Sequence, residues 1–132
     1  MVGIDILLHP IHLSLGAKAE VEPAFTGEMA WYETYAQRHG ADGIEGRLVT
    51  MHTFAKPWEM WEMHPDGSEV VLCVAGELKL HQQGANGGSL IVSLSPGQYA
   101  INQAGVWHTA DVQGLVTALF ITAGRGTQHR PR

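Results

Sequence analysis

At 132 residues the chain can build one domain with a substantial core but not two ordinary ones, and its 16 glycines and six prolines suit a turn-rich all-β fold. A formal charge of −5, with eight Lys and Arg that are scattered except for Arg125, Arg130 and Arg132 near the end, leaves no basic face for a phosphate backbone and excludes nucleic acid as a partner. Cys73 is the single cysteine, which rules out an intrachain disulfide and a secreted, disulfide-stapled scaffold.

The run from Ile4 to Leu15 is apolar in places, but Asp5, His9, Pro10 and His12 interrupt it and no basic residue precedes it. It therefore reads as neither a signal peptide nor a membrane span, and a cytoplasmic protein without membrane contact is expected. Residues 1–26 read as an extended arm with a turn at Glu22 and Pro23. His9 and His12 are taken as exposed or packed against the domain, not as ligands. Residues 27–39 read as one helix with Gly40 as its stop. Its aromatic residues, Tyr32 and Tyr35 with Met29, or Trp31 with Tyr35, recur at helical spacing and serve as packing.

From Arg47 the period changes. Eight strands are expected over 47–54, 58–64, 69–74, 77–81, 89–94, 98–102, 106–112 and 115–122. Turn chemistry separates them at Pro65-Asp66-Gly67, Ala75-Gly76, 84–88, Pro96-Gly97, Ala104-Gly105 and Gln113-Gly114. Such spacing predicts a sandwich or closed barrel over 47–123, after the arm and helix of 1–46 and before a frayed tail, 124–132, all within a single domain, 1–132.

Residues two apart on a strand share a face, so Trp58, Met60, Glu62 and His64 look one way while Glu59, Trp61 and Met63 look the other. The turn at 65–68 can fold the next strand back and set Glu69 beside His64. Glu69 opens the apolar run Val70 to Val74. A carboxylate there is destabilising unless something neutralises it, and a metal ion would.

Residues Glu62-Met-His64-Pro-Asp-Gly-Ser-Glu69, followed after six residues by Gly76, resemble the first cupin motif, His-x-His, three or four residues, Glu, six residues, Gly. The stretch from Gly97 through Gln103 and Gly105 to His108 resembles the second, Gly, five residues, Pro, one residue, Gly, two residues, His. The two motifs span 62–108, and the flanking strands extend the likeness over 47–122. The resemblance implies a cupin or jelly-roll barrel, a double-stranded β-helix, with His64, Glu69 and His108 at ligand positions. Four residues depart from the pattern: Glu62 replaces the first histidine, Gln103 the proline, Lys56 the opening glycine and Val112 an asparagine.

Two roles are open to Glu62, a fourth metal ligand or an unligated acid or base beside the ion, ahead of a third, a solvent-facing residue without function. The ion would be divalent, Fe, Mn, Zn or Ni; a second carboxylate favours the harder ions over copper. His52 is the further catalytic candidate. Strand alternation nominates Phe54, Trp58, Met60, Tyr99 and Ile101 as pocket lining. With no Arg or Lys cluster facing the site, a small uncharged or aromatic ligand fits better than a phosphorylated one. Cys73 reads as a small buried hydrophobe. Trp107 should point away from the ligands, and Trp61 and Met63, outside the barrel, should pack under the N-terminal arm or against a second subunit, which makes a homodimer the expected state. Three functions follow: a small metal-dependent, dioxygenase-like oxidoreductase acting on a small organic substrate; a non-catalytic module that binds or senses a metal or small ligand; and a metal-free acid/base isomerase or lyase using Glu62 with His108 or His52.

Overall fold

The computed structural model of the protein describes residues 1–84 and 86–132; Ala85, inside the turn expected at 84–88, lies outside the described residues. Among the described residues there are eleven strands, β1 (Ile11–Ser14), β2 (Lys18–Val21), β3 (Arg47–Phe54), β4 (Met60–Met63), β5 (Glu69–Ala75), β6 (Leu78–Gln83), β7 (Ser89–Leu94), β8 (Tyr99–Asn102), β9 (Trp107–Val112), β10 (Val116–Thr122) and β11 (Gln128–Pro131), with one α-helix, α1 (Met29–Arg38). They pair antiparallel into a six-stranded sheet, β2-β1-β3-β10-β5-β8, and a five-stranded sheet, β11-β4-β9-β6-β7. No helix among the described residues is long and apolar enough to cross a membrane.

The two sheets close over a core of Val71, Cys73, Leu78, Leu80, Leu94, Ala110, Val116, Ala118 and Phe120. Each large aliphatic side chain so buried contributes about 1.5–3 kcal/mol relative to exposure. This interior has a polarity gradient along the strands. On β5 the inward residues run Glu69, Val71, Cys73, and on β6 and β9 the pair Leu80 and Ala110 is followed by Gln82 and His108. One end of the barrel is therefore dry, and the other holds ionisable groups.

Turn chemistry sets these registers. Gly76 links β5 to β6 with φ +79°, and a Cβ placed there would lie 2.3 Å from the Leu115 carbonyl oxygen, so no other residue fits. Gly67 lets the β4–β5 turn close against Ala123, whose Cβ would lie 2.6 Å from an added one.

Two expectations about the periphery are corrected. The N-terminal segment is not simply an extended arm; it folds into the β1–β2 hairpin through Gly16 and Ala17, both at positive φ, and β1 pairs with β3. The tail is not frayed. Residues 128–131 form β11 and cover the open edge of β4, which shares only the Glu62–His108 bridge with β9. Trp61 is met by the tail: the β11 residue Arg130 places its guanidinium 5.6 Å from the Trp61 ring and 4.4 Å from the Trp107 ring. On α1 the packed pair is Trp31 with Tyr35, stacked 5.7 Å apart, whereas Met29 is exposed.

Candidate metal centre

Four side chains from β4, β5, β9 and the turn after β4 converge at the polar end of the barrel. Glu62, His64, Glu69 and His108 each offer a ligand atom, all within 4.8 Å of one another. His64 Nε2 lies 2.9 Å from Glu62 Oε1 and 3.2 Å from Glu69 Oε2, and His108 Nε2 lies 3.2 Å from Glu69 Oε1 and 3.8 Å from Glu62 Oε1. His64, Glu69 and His108 are buried, and Glu62 sits at the solvent edge with 27% of its side chain exposed.

The arrangement fits a divalent ion. Donor atoms about 2.1 Å from one ion and at right angles lie roughly 3 Å apart, close to three of these four separations. Both Nε2 atoms are buried and lack a hydrogen-bond partner, although carboxylate oxygens lie 2.9–3.8 Å away. Their outer nitrogens are held. His108 Nδ1 faces the Val106 carbonyl at 3.2 Å, which can only accept, so Nδ1 carries the proton. Thr127 spends its hydroxyl proton on the Gly124 carbonyl at 2.8 Å, so its oxygen accepts from His64 Nδ1, also at 2.8 Å. Each ring is thereby fixed with Nε2 turned inward, the form that ligates a metal.

Glu69 is held equally firmly. Asn102 Nδ2 donates to its Oε1 at 3.1 Å and Thr122 Oγ1 to its Oε2 at 2.7 Å, while Gln82 donates to Asn102 Oδ1 at 2.8 Å. Glu62 is held more loosely, by His129 Nε2 on Oε2 at 3.0 Å.

Electrostatics follow this geometry. Burial alone would push both carboxyls up, but His108 and His64 outweigh it, holding Glu62 well below the usual carboxylate range and bringing Glu69 down to about 2. Burial disfavours both imidazolium forms, yet Glu62 and Glu69 outweigh it and raise His64 and His108 to about 9 in the metal-free protein. Two protons thus occupy the charge position that a divalent ion would take.

The surrounding wall is aromatic. Trp58 lies 6.5 Å from His108 and 5.9 Å from Phe120, and Phe54 lies 6.0 Å from Trp58. His52 packs between Phe120 at 5.9 Å and Phe25 at 4.9 Å; burial lowers its pKa, partly offset by Glu62, so the ring is neutral at pH 7. Phe25 continues to Tyr32 on α1 at 5.7 Å, whose hydroxyl is pushed up to about 12 by burial and then by Glu62 and Glu69. Met60, 38% exposed, stands at the solvent-facing end of β4.

Tyr99 and Ile101 do not line this site. On β8, Asn102 pairs with Glu69 and Ala100 with Val71, so the inward positions are 100 and 102, and Tyr99 and Ile101 lie outside with Leu72 and Val70, 63% and 42% exposed. Cys73 is fully buried in the core, where burial raises its thiol pKa. Sequence reasoning missed Thr127 and His129, which lie in the tail, and Phe25 and Tyr32, which lie before the barrel. For Asn102 a signal existed, since its strand parity with Glu69 follows from an antiparallel pairing of the two motif strands.

No protein-family model matches the sequence, and no curated protein matches it. Solved structures do match in fold. Oxalate oxidase superposes with a TM-score of 0.57 at 16% identity, over 70% of this chain and 49% of the oxidase, so the chain spans about half the length of that protein. A conserved protein with a double-stranded β-helix domain from Klebsiella pneumoniae matches at 0.53 and 20% identity, over 65% of this chain and 76% of the other. Peruvianin-I, described as a cysteine peptidase of Thevetia peruviana latex, matches at 0.50 and 20% identity, over 65% and 54%. Neighbours with such different named activities share an architecture and not a reaction. The two sheets, the motif spacing and these superpositions agree: the chain folds as a cupin, a double-stranded β-helix carrying a candidate metal centre at its polar end.

Proposed function

We propose that the protein is a small metal-dependent oxidoreductase of the dioxygenase type, which holds one divalent ion through Glu62, His64, Glu69 and His108 and acts on a small, uncharged, planar organic molecule. The observation that carries this reading is the pair of buried Nε2 atoms without hydrogen-bond partners, each with its outer nitrogen proton already committed and each facing carboxylates. Two carboxylates with two imidazoles favour Mn(II) or Fe(II) over copper. When bound, the ion supplies open coordination positions for substrate and oxygen together with its redox capacity.

The remaining chemistry belongs to the chain. Trp58, backed by Phe54 and Phe120, offers a flat apolar face beside His108, which orients a planar substrate and excludes water. His52 and Tyr32, the one neutral and the other protonated at pH 7, present donors to a ligand without adding charge. Two ligand carboxylates offset the charge of the ion, so an anionic substrate is attracted less than at a centre with one. Glu62, at the solvent edge and joined to His129, is the ligand best placed to pass a proton outward.

Metal analysis of gently purified protein, followed by oxygen-uptake screening of the apo and reconstituted forms against phenols and small ketones, tests the proposal. One ion per chain and metal-dependent uptake are expected. An ion without uptake would assign the protein to binding or sensing, and no ion would favour metal-free acid/base chemistry. Glu62→Ala separates its two roles: loss of the ion marks a ligand, and a retained ion with lost turnover marks an acid or base.

A further inference from the structure

A second group of metal-ligating side chains lies outside the barrel, where the β1–β2 hairpin meets the end of α1. His12, His39 and Asp42 each offer a ligand atom within 4.8 Å of the others. His12 is 1% exposed, and its Nε2 lies 2.6 Å from Asp42 Oδ2. His39 Nδ1 lies 3.8 Å from Glu20 Oε2, and Glu20 stands directly across the hairpin from His12.

Unlike the barrel imidazoles, His12 is hydrogen-bonded at both nitrogens, with Nε2 on Asp42 at 2.6 Å. His12 Nδ1 is 2.6 Å from the Tyr35 hydroxyl, and His39 Nε2 bonds the buried Glu22 carboxylate, which Arg38 also holds at 3.3 Å. Glu22 can only accept, so His39 carries its proton on Nε2 and turns an Nδ1 lone pair toward Glu20. Three carboxylates, Glu20, Glu22 and Asp42, therefore face one guanidinium and two imidazoles. The two imidazole rings stack face to face, with 3.6 Å between their centroids. One divalent cation at the edge of the stack would balance the carboxylate charge that Arg38 leaves over.

We propose that His12 Nε2, His39 Nδ1 and Asp42, with Glu20 as a fourth donor from the solvent side, form a second divalent-cation site of the zinc class. Its role is structural. It joins β1, β2, the end of α1 and the turn at 40–42, and so fixes the helix that places Tyr32 near the barrel site. Two histidines and two carboxylates accept Zn(II), as the same donor set in the barrel also can, and the 52% exposed Glu20 leaves an entry path.

The test uses Zn(II) alone as probe and does not depend on turnover. His64→Ala/His108→Ala disables the barrel site; after Zn(II) loading and gel filtration, this variant should retain one equivalent and unfold at higher temperature with zinc than without. Adding His39→Gln should remove both the ion and the thermal shift. In the otherwise native chain, Asp42→Asn should reduce the zinc content from two equivalents to one, which decides the matter even if the double variant fails to fold. Native protein that holds a single ion, unchanged in amount by Asp42→Asn, overturns this site and leaves the barrel centre standing. Native protein with one ion that Asp42→Asn removes and His64→Ala leaves would instead sink the barrel centre and retain this one.

Discussion

At the scale of single residues, the candidate metal ligands are legible from spacing, but the groups that orient them are not. Glu62, His64, Glu69 and His108 announce themselves because strand parity and the two motif spacings constrain them. Thr127 lies 63 positions from His64 and has no local signature. Its effect is specific, because the oxygen accepts the Nδ1 proton while its own proton is committed to Gly124. Thr127→Val keeps the shape and removes the acceptor, so metal affinity measured by chelator competition should fall about 10–100-fold, whereas Thr127→Ser should stay near native. Equal affinity in all three proteins would show that the ring is oriented by packing alone. Tyr99 and Ile101 teach the complementary lesson, since strand membership is easy to read while the face depends on a register that only the Glu69–Asn102 pairing fixes.

At the scale of elements, β3 to β10 were readable because each combines apolar alternation with a bounding turn, and the helix because its aromatics recur at helical spacing. β2 and β11 carry neither signal. β2 (Lys-Ala-Glu-Val) is exposed throughout, and β11 (Gln-His-Arg-Pro) is polar and ends in proline, so only the free edges of β1 and β4 make them strands. If β11 is part of the site, deleting residues 127–132 should lower the melting temperature and weaken metal binding at least as much as Thr127→Val, because the His129 contact to Glu62 is lost too. A truncated protein with native affinity would return the tail to the frayed segment that its composition suggests. Gly76 gives a stability test independent of metal. Gly76→Ala should destabilise by about 2 kcal/mol or more in denaturant titration, since it combines a positive φ with a clash against the Leu115 carbonyl.

At the scale of the molecule, the barrel site ties the two sheets together, because Glu69 belongs to the six-stranded sheet and Glu62 and His108 to the five-stranded one. Stability should therefore respond to pH with a sign that metal changes. In the metal-free protein, Glu62 and Glu69 titrate below their ordinary 4.5, and their stabilisation is complete above that value and lost as pH falls toward about 2. His64 and His108 titrate near 9 instead of 6.5, so their stabilisation is complete below 6.5 and lost as pH rises through about 9. The metal-free protein should be most stable between about pH 4.5 and 6.5 as far as these groups decide, and its melting temperature should fall from there to pH 9. A bound ion requires both Nε2 atoms deprotonated, so binding near neutral pH releases up to two protons and tightens as pH rises toward 9. Since a ligand held by the native state adds RT ln(1 + [L]/Kd), about 2.7 kcal/mol at a hundredfold excess over Kd, the gap between loaded and metal-free melting temperatures should widen from pH 6.5 to 9. Paired thermal scans across that range, with calorimetry in buffers of different ionisation enthalpy to count the released protons, measure both effects. A gap that stays constant, with no proton release, would mean that the two imidazoles do not exchange their protons for the ion.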